Sequence, residues 1–470
     1  MKRVTIFAAG YFALAAVLIF AGCAGVPADS TQVVRPKNIV IMFADGAAPT
    51  QWELGKYAAR HLRNAPFVTT DVVFRDGVLG VLSTHPHNAF ITDSAAAATA
   101  MSSGTKVDNY SVSIAPDGTP LRTFMDRARA AGKKIGLVST AEIYDASPAG
   151  FSAGAKRGED QSIVDQYFAL EPDLLIGGGR DYFLPKGTPG GKRSDDRDMV
   201  AEFARKGYQI VLTPQELKAA AGPKVLALFA DASMAFEIDR DPARQPSFKE
   251  MTEAAIRLLA RDAPNGFVLF VENQKVDTAG HHNDIAAMIR ELWTFDDGVQ
   301  VALDFQRRTP DETLLIVTAD HETGGLSPTY LQKTPGSVSR SDRFFVGPAH
   351  FEMVSRIKGS LASAVRALGK QPTAEQLDAV LADRFPGFTL DADLREVILA
   401  RKPVERSFTY VPHSTLGLMI ARQTGFYWAT SGHTTEPVLV GAMGPGAQLF
   451  HGYQDNTDFG KSLHRLITGH

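Results

Sequence analysis

Short, nearly continuous apolar runs recur along most of this chain, at Asn38–Phe43, Ile135–Val138, Asp173–Ile176, Gly266–Val271, Thr313–Val317 and Val438–Met443. Continuous runs, as opposed to strict alternation, mark strands covered on both faces, as in a parallel sheet under helices. Helical patterns fall between them, at Ser94–Met101, Leu121–Ala131, Gln161–Ala169, Lys249–Ala260 and Ile285–Arg307. This order predicts an α/β fold: a central, mainly parallel sheet flanked by helices on both faces. A chain of 470 residues, 44% hydrophobic, has enough material for one large sheet with a substantial core. No internal repeat interrupts the pattern.

The rhythm fails at two places. After His321 it weakens, and residues 350–402 read as three amphipathic helices broken at Pro372 and around Pro386-Gly387. These belong to a helical insertion at about 331–430 on the main domain, which spans 38–470. Gly187–Asp198, with Gly190, Gly191 and mixed charges from Lys192, reads as a solvated loop.

At the start of the chain, Lys2 and Arg3 precede an apolar run from Val4 to Ala21, broken only by Thr5 and Gly10. It closes on Phe20-Ala21-Gly22-Cys23, which resembles a bacterial lipobox, although Phe20 stands where leucine is usual. Residues 1–22 are therefore read as a lipoprotein signal peptide, Cys23 as a lipidated membrane anchor and 23–37 as a tether. An ordinary signal peptide cleaved nearby is the alternative. Either reading makes the protein exported; the first places it in the periplasm or on the outer membrane. Cys23 is the only cysteine, so no disulfide can form within the chain. No other run approaches the ~20 apolar residues of a membrane span. A formal net charge of −3 carries no footprint of nucleic-acid binding.

In doubly wound sheets, ligands bind beyond the carboxyl ends of the strands. Asp45 follows the first run, Glu272 and Asp277 follow the Gly266 run, and Asp320-His321 follow the Thr313 run. Asp277 and His281, four apart, share one helical face, and both are zinc-ligand types. Any one of these reads equally as a capped turn with a hydrogen-bonded histidine; together they point to a metal site. Ser94 opens a run of small residues that suits a helix start, where the positive helix end favours an alkoxide and a bound phosphate. Taken alone, a plain helix cap is the simpler reading of Asp93-Ser94.

Several ordered motifs share a resemblance: Asp45-Gly46, Thr92-Asp93-Ser94-Ala95-Ala96, Ser139-Thr140-Ala141-Glu142, Asp145-Ala146-Ser147-Pro148-Ala149, Gly177-Gly178-Gly179, Val271-Glu272, Asp277 with His281, Thr318-Ala319-Asp320-His321 and Gly432-His433-Thr434. Over about residues 38–470 the sequence resembles the alkaline phosphatases. The resemblance implies hydrolysis of phosphate monoesters through a phosphoserine, two zinc ions, one magnesium ion and a homodimer. Ser94 resembles the serine that is phosphorylated. Asp277, His281 and His433 resemble the ligands of one zinc, and Asp45, Asp320 and His321 those of the second. Asp45, Ser147 and Glu272 resemble the magnesium ligands. Imidazole-containing sets suit zinc and all-oxygen sets suit magnesium.

Arg157 resembles the arginine that grips two phosphate oxygens, a bidentate geometry lysine cannot supply. Its spacing from Pro148 is one residue short of the common pattern, and a solvated Lys156-Arg157 pair is the alternative. Asp145 has the form seen in some bacterial members, where it supports the waters of the magnesium. Thr278 stands where many members carry Lys or His, which leaves that region less positive. Sulfatases of the wider superfamily need a modifiable residue in a Cys/Ser-x-Pro-x-Arg context that Ser94 lacks. Diesterases commonly use threonine. A catalytically dead binder would have lost ligands, and each family ligand position is filled.

Overall fold

The computed structural model describes residues 34–469. The expected signal peptide, Cys23 and the tether up to residue 33 lie outside the described residues. Ten strands form the central sheet: β1 (Asn38–Ala44), β2 (Val78–Ser83), β3 (Lys134–Glu142), β4 (Leu174–Gly178), β5 (Tyr208–Val211), β6 (Lys224–Leu228), β7 (Phe267–Asn273), β8 (Thr313–Thr318), β9 (Val438–Met443) and β10 (Gly452–Asp455). Their order across the sheet is β10-β2-β9-β8-β1-β7-β3-β4-β6-β5. Every pairing is parallel except those of β9, which runs antiparallel to both of its neighbours.

β1 is central, and its residues from Ile39 to Ala44 are fully buried, as a run covered on both faces must be. Its register aligns Phe43 with Glu272 on one side and Thr318 on the other. The chain therefore leaves β1, β7 and β8 at one edge, with Asp45 and Asp320 each two residues past the row that holds Glu272. β3 aligns Ser139 with Glu272 at the same edge.

Helices flank this sheet. Phe43, Phe151 and Phe270 pack with ring centroids 4.5–6.1 Å apart, fixing the Ala146–Ser152 helix against β1 and β7. Burial of each ring is worth about 1.5–3 kcal/mol. Trp52 and Phe248 both pack on Phe295, each at 5.7 Å, joining the Pro49–Ala58, Phe248–Ala260 and Ile285–Arg308 helices.

Every strand read from an apolar run is present. β3 extends four residues past Val138 through the polar Ser139–Glu142, with an irregular register against β4. Two regions differ from expectation. The segment read as three helices holds four: Pro348–Ser355, Leu361–Leu368, Ala374–Arg384 and Ala392–Ala400. The breaks at Pro372 and Pro386-Gly387 are there. The extra break falls between Ser355 and Leu361, where Gly359 turns the chain at φ +99° and Ser360 caps the next helix. The loop read as solvated is pinned from inside, because Arg193 is buried and bonds Asp195, Asp165 and the Tyr182 carbonyl. Among the described residues, no helix is long and apolar enough to cross a membrane.

Candidate active site

Gly46 turns the chain after β1 at φ +80°, and a Cβ there would stand 2.8 Å from the Asp277 Cα. That close approach sets Asp45 against the Lys275–His282 helix. On this helix the i,i+4 spacing brings His281 Nε2 to 3.2 Å from Asp277 Oδ2. His433 arrives on a two-residue strand, His433–Thr434, paired antiparallel with Glu322–Thr323 just beyond β8. Its Nε2 lies 3.4 Å from Asp277 Oδ1 and 3.3 Å from His281 Nε2. Asp277, His281 and His433 thus converge as a triangle.

A second group adjoins it. His321 Nε2 lies 3.2 Å from Asp320 Oδ2 and 3.5 Å from Asp45 Oδ1. Ligand atoms of Asp45, Asp320 and His321 lie within 4.8 Å of one another, as do those of Asp277, His321 and His433. His321 therefore stands between the two groups, and its ring stacks on that of His433 at 3.6 Å. On the far side of Asp45, Ser147 Oγ is 3.5 Å from Oδ2 and also bonds Glu272. Ser139 Oγ donates to Glu272 Oε2 at 2.5 Å.

Each imidazole is held by its other nitrogen. His281 Nδ1 is 2.6 Å from the Ser431 carbonyl and His433 Nδ1 is 2.7 Å from the Thr92 carbonyl. A carbonyl only accepts, so Nδ1 carries a proton and Nε2 is the nitrogen left to face the carboxylates. His321 Nδ1 faces Thr323 Oγ1 at 3.2 Å, while that hydroxyl donates to Asp277 Oδ1 at 2.5 Å. The hydroxyl proton is committed to the carboxylate, so here too Nδ1–H donates and Nε2 is bare.

A bare nitrogen aimed at a carboxylate oxygen repels it, so a proton or a metal cation must lie between. Among the described residues, Asp45 Oδ1 and Asp320 Oδ2 are buried without a hydrogen-bond donor. Burial and mutual repulsion push Glu272 up to about 8 and Asp320 up to about 7, and Asp45 well above the carboxylate range. Burial also acts on Asp277, but His281 and His433 hold its carboxyl well below that range. Burial, reinforced by His433, drives the His321 imidazole well below its ordinary value. The donors fit divalent cations: two nitrogen-and-oxygen groups and one set of oxygens.

Ser94 is the first residue of the Ser94–Ser103 helix, 3% exposed, with Oγ 3.1 Å from His321 Nε2. The cap is Asp93, whose Oδ1 accepts from the Ala96 amide at 3.0 Å. The capping alternative thus applies to Asp93 and leaves the Ser94 hydroxyl free. Arg157 turns inward: Nη1 donates to Asp93 Oδ2 at 2.9 Å, with 33% of its side chain exposed. Burial opposes its charge, but Asp145, Asp93 and Asp45 raise its pKa above the ordinary value. Its partner is a carboxylate of the site, so the solvated-pair alternative describes Lys156 alone.

Asp145 sits half-buried at the start of the Ala146–Ser152 helix. Thr278 Oγ1 donates to Gln274 Oε1 at 3.0 Å, and Gln274 Nε2 donates to Asp277 Oδ2 at 3.3 Å. One turn upstream, Lys275 is buried at 6% exposure, with Nζ 2.5 Å from Ser233 Oγ. Burial lowers its pKa, while Glu142, Glu291, Asp145 and Asp277 sustain its charge. Sequence reasoning missed this cation and Thr323, and it gave Ser139 no role beyond its motif.

The family model described as alkaline phosphatase matches residues 36–468. Alkaline phosphatase 3 of Bacillus subtilis is 31% identical over 446 residues, covering 92% of this chain and 89% of that protein. Alkaline phosphatase 4 of the same organism is 29% identical over 487 residues, covering 99% and 96%. The crystal structure of Thermus thermophilus alkaline phosphatase superposes with a TM-score of 0.82 at 28% identity, over 93% of each chain. The cold-active alkaline phosphatase of Shewanella sp. gives 0.73 at 30% identity, over 92% of this chain and 99% of that one.

Proposed function

The chain belongs to the alkaline phosphatase family and is a phosphomonoesterase, and we propose that it works through a covalent phosphoserine at Ser94, with two zinc ions and one magnesium ion. The observation that carries this reading is the Ser94 hydroxyl, uncommitted to capping and 3.1 Å from His321 Nε2. Asp277, His281 and His433 would hold one zinc, Asp45, Asp320 and His321 the other, and Asp45, Ser147 and Glu272 the magnesium. When bound, these ions supply positive charge at the attacking and leaving oxygens.

The chain's own groups do the rest. Ester phosphates hydrolyse extremely slowly in water, and their loose transition state calls for charge stabilisation and in-line placement. Arg157 binds two phosphoryl oxygens through its fork, and Asp93 orients it by accepting a hydrogen bond from Nη1. The helix start at Ser94 adds positive potential under the phosphoryl group. Ser94 Oγ, its proton released to solvent, attacks phosphorus; a P–O bond to serine forms as the bond to the alcohol oxygen breaks, and that oxygen takes up a proton from solvent. Water then attacks phosphorus from the vacated side and gives up a proton, the serine oxygen leaves and is reprotonated, and phosphate is released. Two in-line displacements retain configuration at phosphorus.

Thr323, with the carbonyls of Thr92 and Ser431, keeps the imidazoles in the ligating tautomer. Asp145 and Lys275 set the charge around the magnesium ligands, and Thr278 acts through Gln274 on Asp277. The same reading makes the enzyme a homodimer exported as a lipoprotein through Cys23. The first is checked by sedimentation, the second by mass spectrometry of the N-terminal peptide from native membranes. The test of the central step is acid quenching during turnover followed by peptide mapping. Phosphate on the Ser94 peptide is expected; turnover with no phosphopeptide under any quench would refute the covalent step.

A further inference from the structure

The two edges of the central sheet are unlike. Asp45, Glu272 and Asp320 lie at the carboxyl ends of β1, β7 and β8, so the opposite edge carries the strand starts. β1, β7 and β3 are neighbours there, with Ile39 level with Val268 and Lys134 level with Phe267. Arg35 and Lys37 precede β1, Lys133 and Lys134 lead into β3, and Arg261 precedes β7. Val34, the first described residue, meets the same edge. Its carbonyl oxygen would stand 3.4 Å from a Cβ at Gly446, just past the end of antiparallel β9.

Basic side chains therefore crowd the point where the chain enters the fold. Among the described residues, Arg35, Lys133 and Lys134 meet no carboxylate. Lys133 Nζ donates to the backbone carbonyls of Lys37 and Asn265 at 2.7 and 3.0 Å, and Lys134 Nζ to that of Arg261 at 2.5 Å. Burial lowers the Lys133 pKa, and the like charges of Arg35 and Lys37 lower it further. The carboxylates that answer the group do so loosely and in the open. Glu312 Oε2 is 3.6 Å from Lys37 Nζ, and Asp262 Oδ2 is 3.8 Å from Arg261 Nε. Farther along the edge, Asp173 and Glu171 precede β4, and both are taken by Arg129, Lys206 and Lys224. Arg307 and Arg308 close the Ile285–Arg308 helix before Asp311 and β8. The edge thus carries surplus positive charge on a chain whose formal net charge is −3.

We propose that this edge, with Arg35, Lys37, Lys133, Lys134 and Arg261, is the face on which the protein rests against an anionic phospholipid surface, the Ser94 site turned away from it. The proposal rests on the reading of Cys23 as a lipid anchor. Residues 24–33 separate Cys23 from the first described residue, and fully extended they reach at most roughly 36 Å. Such a tether limits how far the domain stands off the membrane but does not choose a face. The charge does: anionic headgroups attract lysine and arginine within about a Debye length, ~8 Å. β1 has seven residues between Lys37 and Asp45, which at roughly 3.3 Å each lift the metal groups about 23 Å above this face. The catalytic edge then opens to soluble substrate.

The test uses the chain from residue 23 with Cys23→Ser, which holds every described residue and no acyl group. At low ionic strength it should sediment with phosphatidylcholine vesicles that contain phosphatidylglycerol and stay in solution beside pure phosphatidylcholine vesicles. Added salt should release it. Arg35→Gln combined with Lys37→Gln, both exposed, should weaken this binding about tenfold or more. Arg356→Gln combined with Lys358→Gln removes the same charge from exposed positions of the helical insertion and should leave binding unchanged. Vesicle-bound enzyme should hydrolyse a soluble chromogenic monoester as fast as free enzyme. No binding to the mixed vesicles, equal loss in the two double variants, or turnover lost on the vesicles overturns the face. The anchor is read separately: an unmodified Cys23 in native material, by mass spectrometry, removes the anchor reading, whereas the vesicle result alone decides the face.

Discussion

Ser94 Oγ stands 3.1 Å from His321 Nε2, and nothing in its own helix claims that hydroxyl because Asp93 caps the first turn. An alanine at the first helical position keeps the cap and has better helix propensity. Ser94→Ala should therefore melt close to wild type and retain its metals. Turnover of a chromogenic monoester should fall by at least about three orders of magnitude, the scale seen when a nucleophile is removed. Near-normal kcat with full metal content would show that Ser94 is not the nucleophile.

Arg157 is joined to the same helix start through Asp93. A lysine at 157 would keep the charge but lose the fork, and with it one charge-assisted hydrogen bond worth about 1.5–3 kcal/mol. Arg157→Lys should weaken competitive inhibition by inorganic phosphate by about tenfold or more. The loss should appear in KM as well. An unchanged inhibition constant would return Arg157 to the role of a surface charge.

The parts of this site readable in sequence are those that end apolar runs. Asp45, Glu272 and Asp320-His321 are conspicuous because an acid or histidine closes or closely follows a buried apolar run. β2, β5, β6 and β10 left no such trace, being short and at or near the sheet margins, and all but β6 half-exposed. His433 rides on a strand of only two residues, so nothing but the Gly432-His433-Thr434 resemblance marked it. Lys275 was passed over because a lysine reads as surface until its burial is seen. Thr323 had no signal at all: its role arises from the pairing of Thr323 with His433, a contact between segments 110 residues apart in number.

Removing the metals should make stability depend on pH in a defined way. A carboxyl whose folded pKa is raised contributes stability that is complete below its unfolded value, near ~4, and lost as pH rises through the folded one. Glu272 at about 8, Asp320 at about 7 and the raised Asp45 all act in this sense. His281, also raised, loses its contribution in the same range. His413 and His282 oppose them only below the ordinary histidine value of about 6.5, since burial depresses them to about 4 and about 2. Chelated enzyme should thus become less stable from about pH 6.5 to about pH 9. Metal-loaded enzyme should lose less, because the cations neutralise the same carboxylates. Thermal melts across that range would check this, and a melting point of the chelated form that rises with pH would contradict it.

Thr323 offers the sharpest test of how the two metal groups are coupled. Its hydroxyl gives its proton to Asp277 and takes one from His321, so a single side chain orients a ligand in each group. Valine has nearly the same shape but can do neither. In Thr323→Val the buried His321 Nδ1–H would be left unpaired, and the imidazole would gain by moving its proton to Nε2, facing the carboxylates of Asp320 and Asp45. That tautomer cannot ligate. Supporting hydrogen bonds of this kind are worth about 10–100-fold in metal affinity or activity. Thr323→Val should lose metal from both groups at a chelator concentration that wild type withstands, with a matching fall in kcat. Thr323→Ser, which restores the hydroxyl, should recover most of both. Elemental analysis with parallel kinetics decides the matter: full metal occupancy in Thr323→Val, or failure of serine to rescue, would mean that the hydroxyl does not set the His321 tautomer.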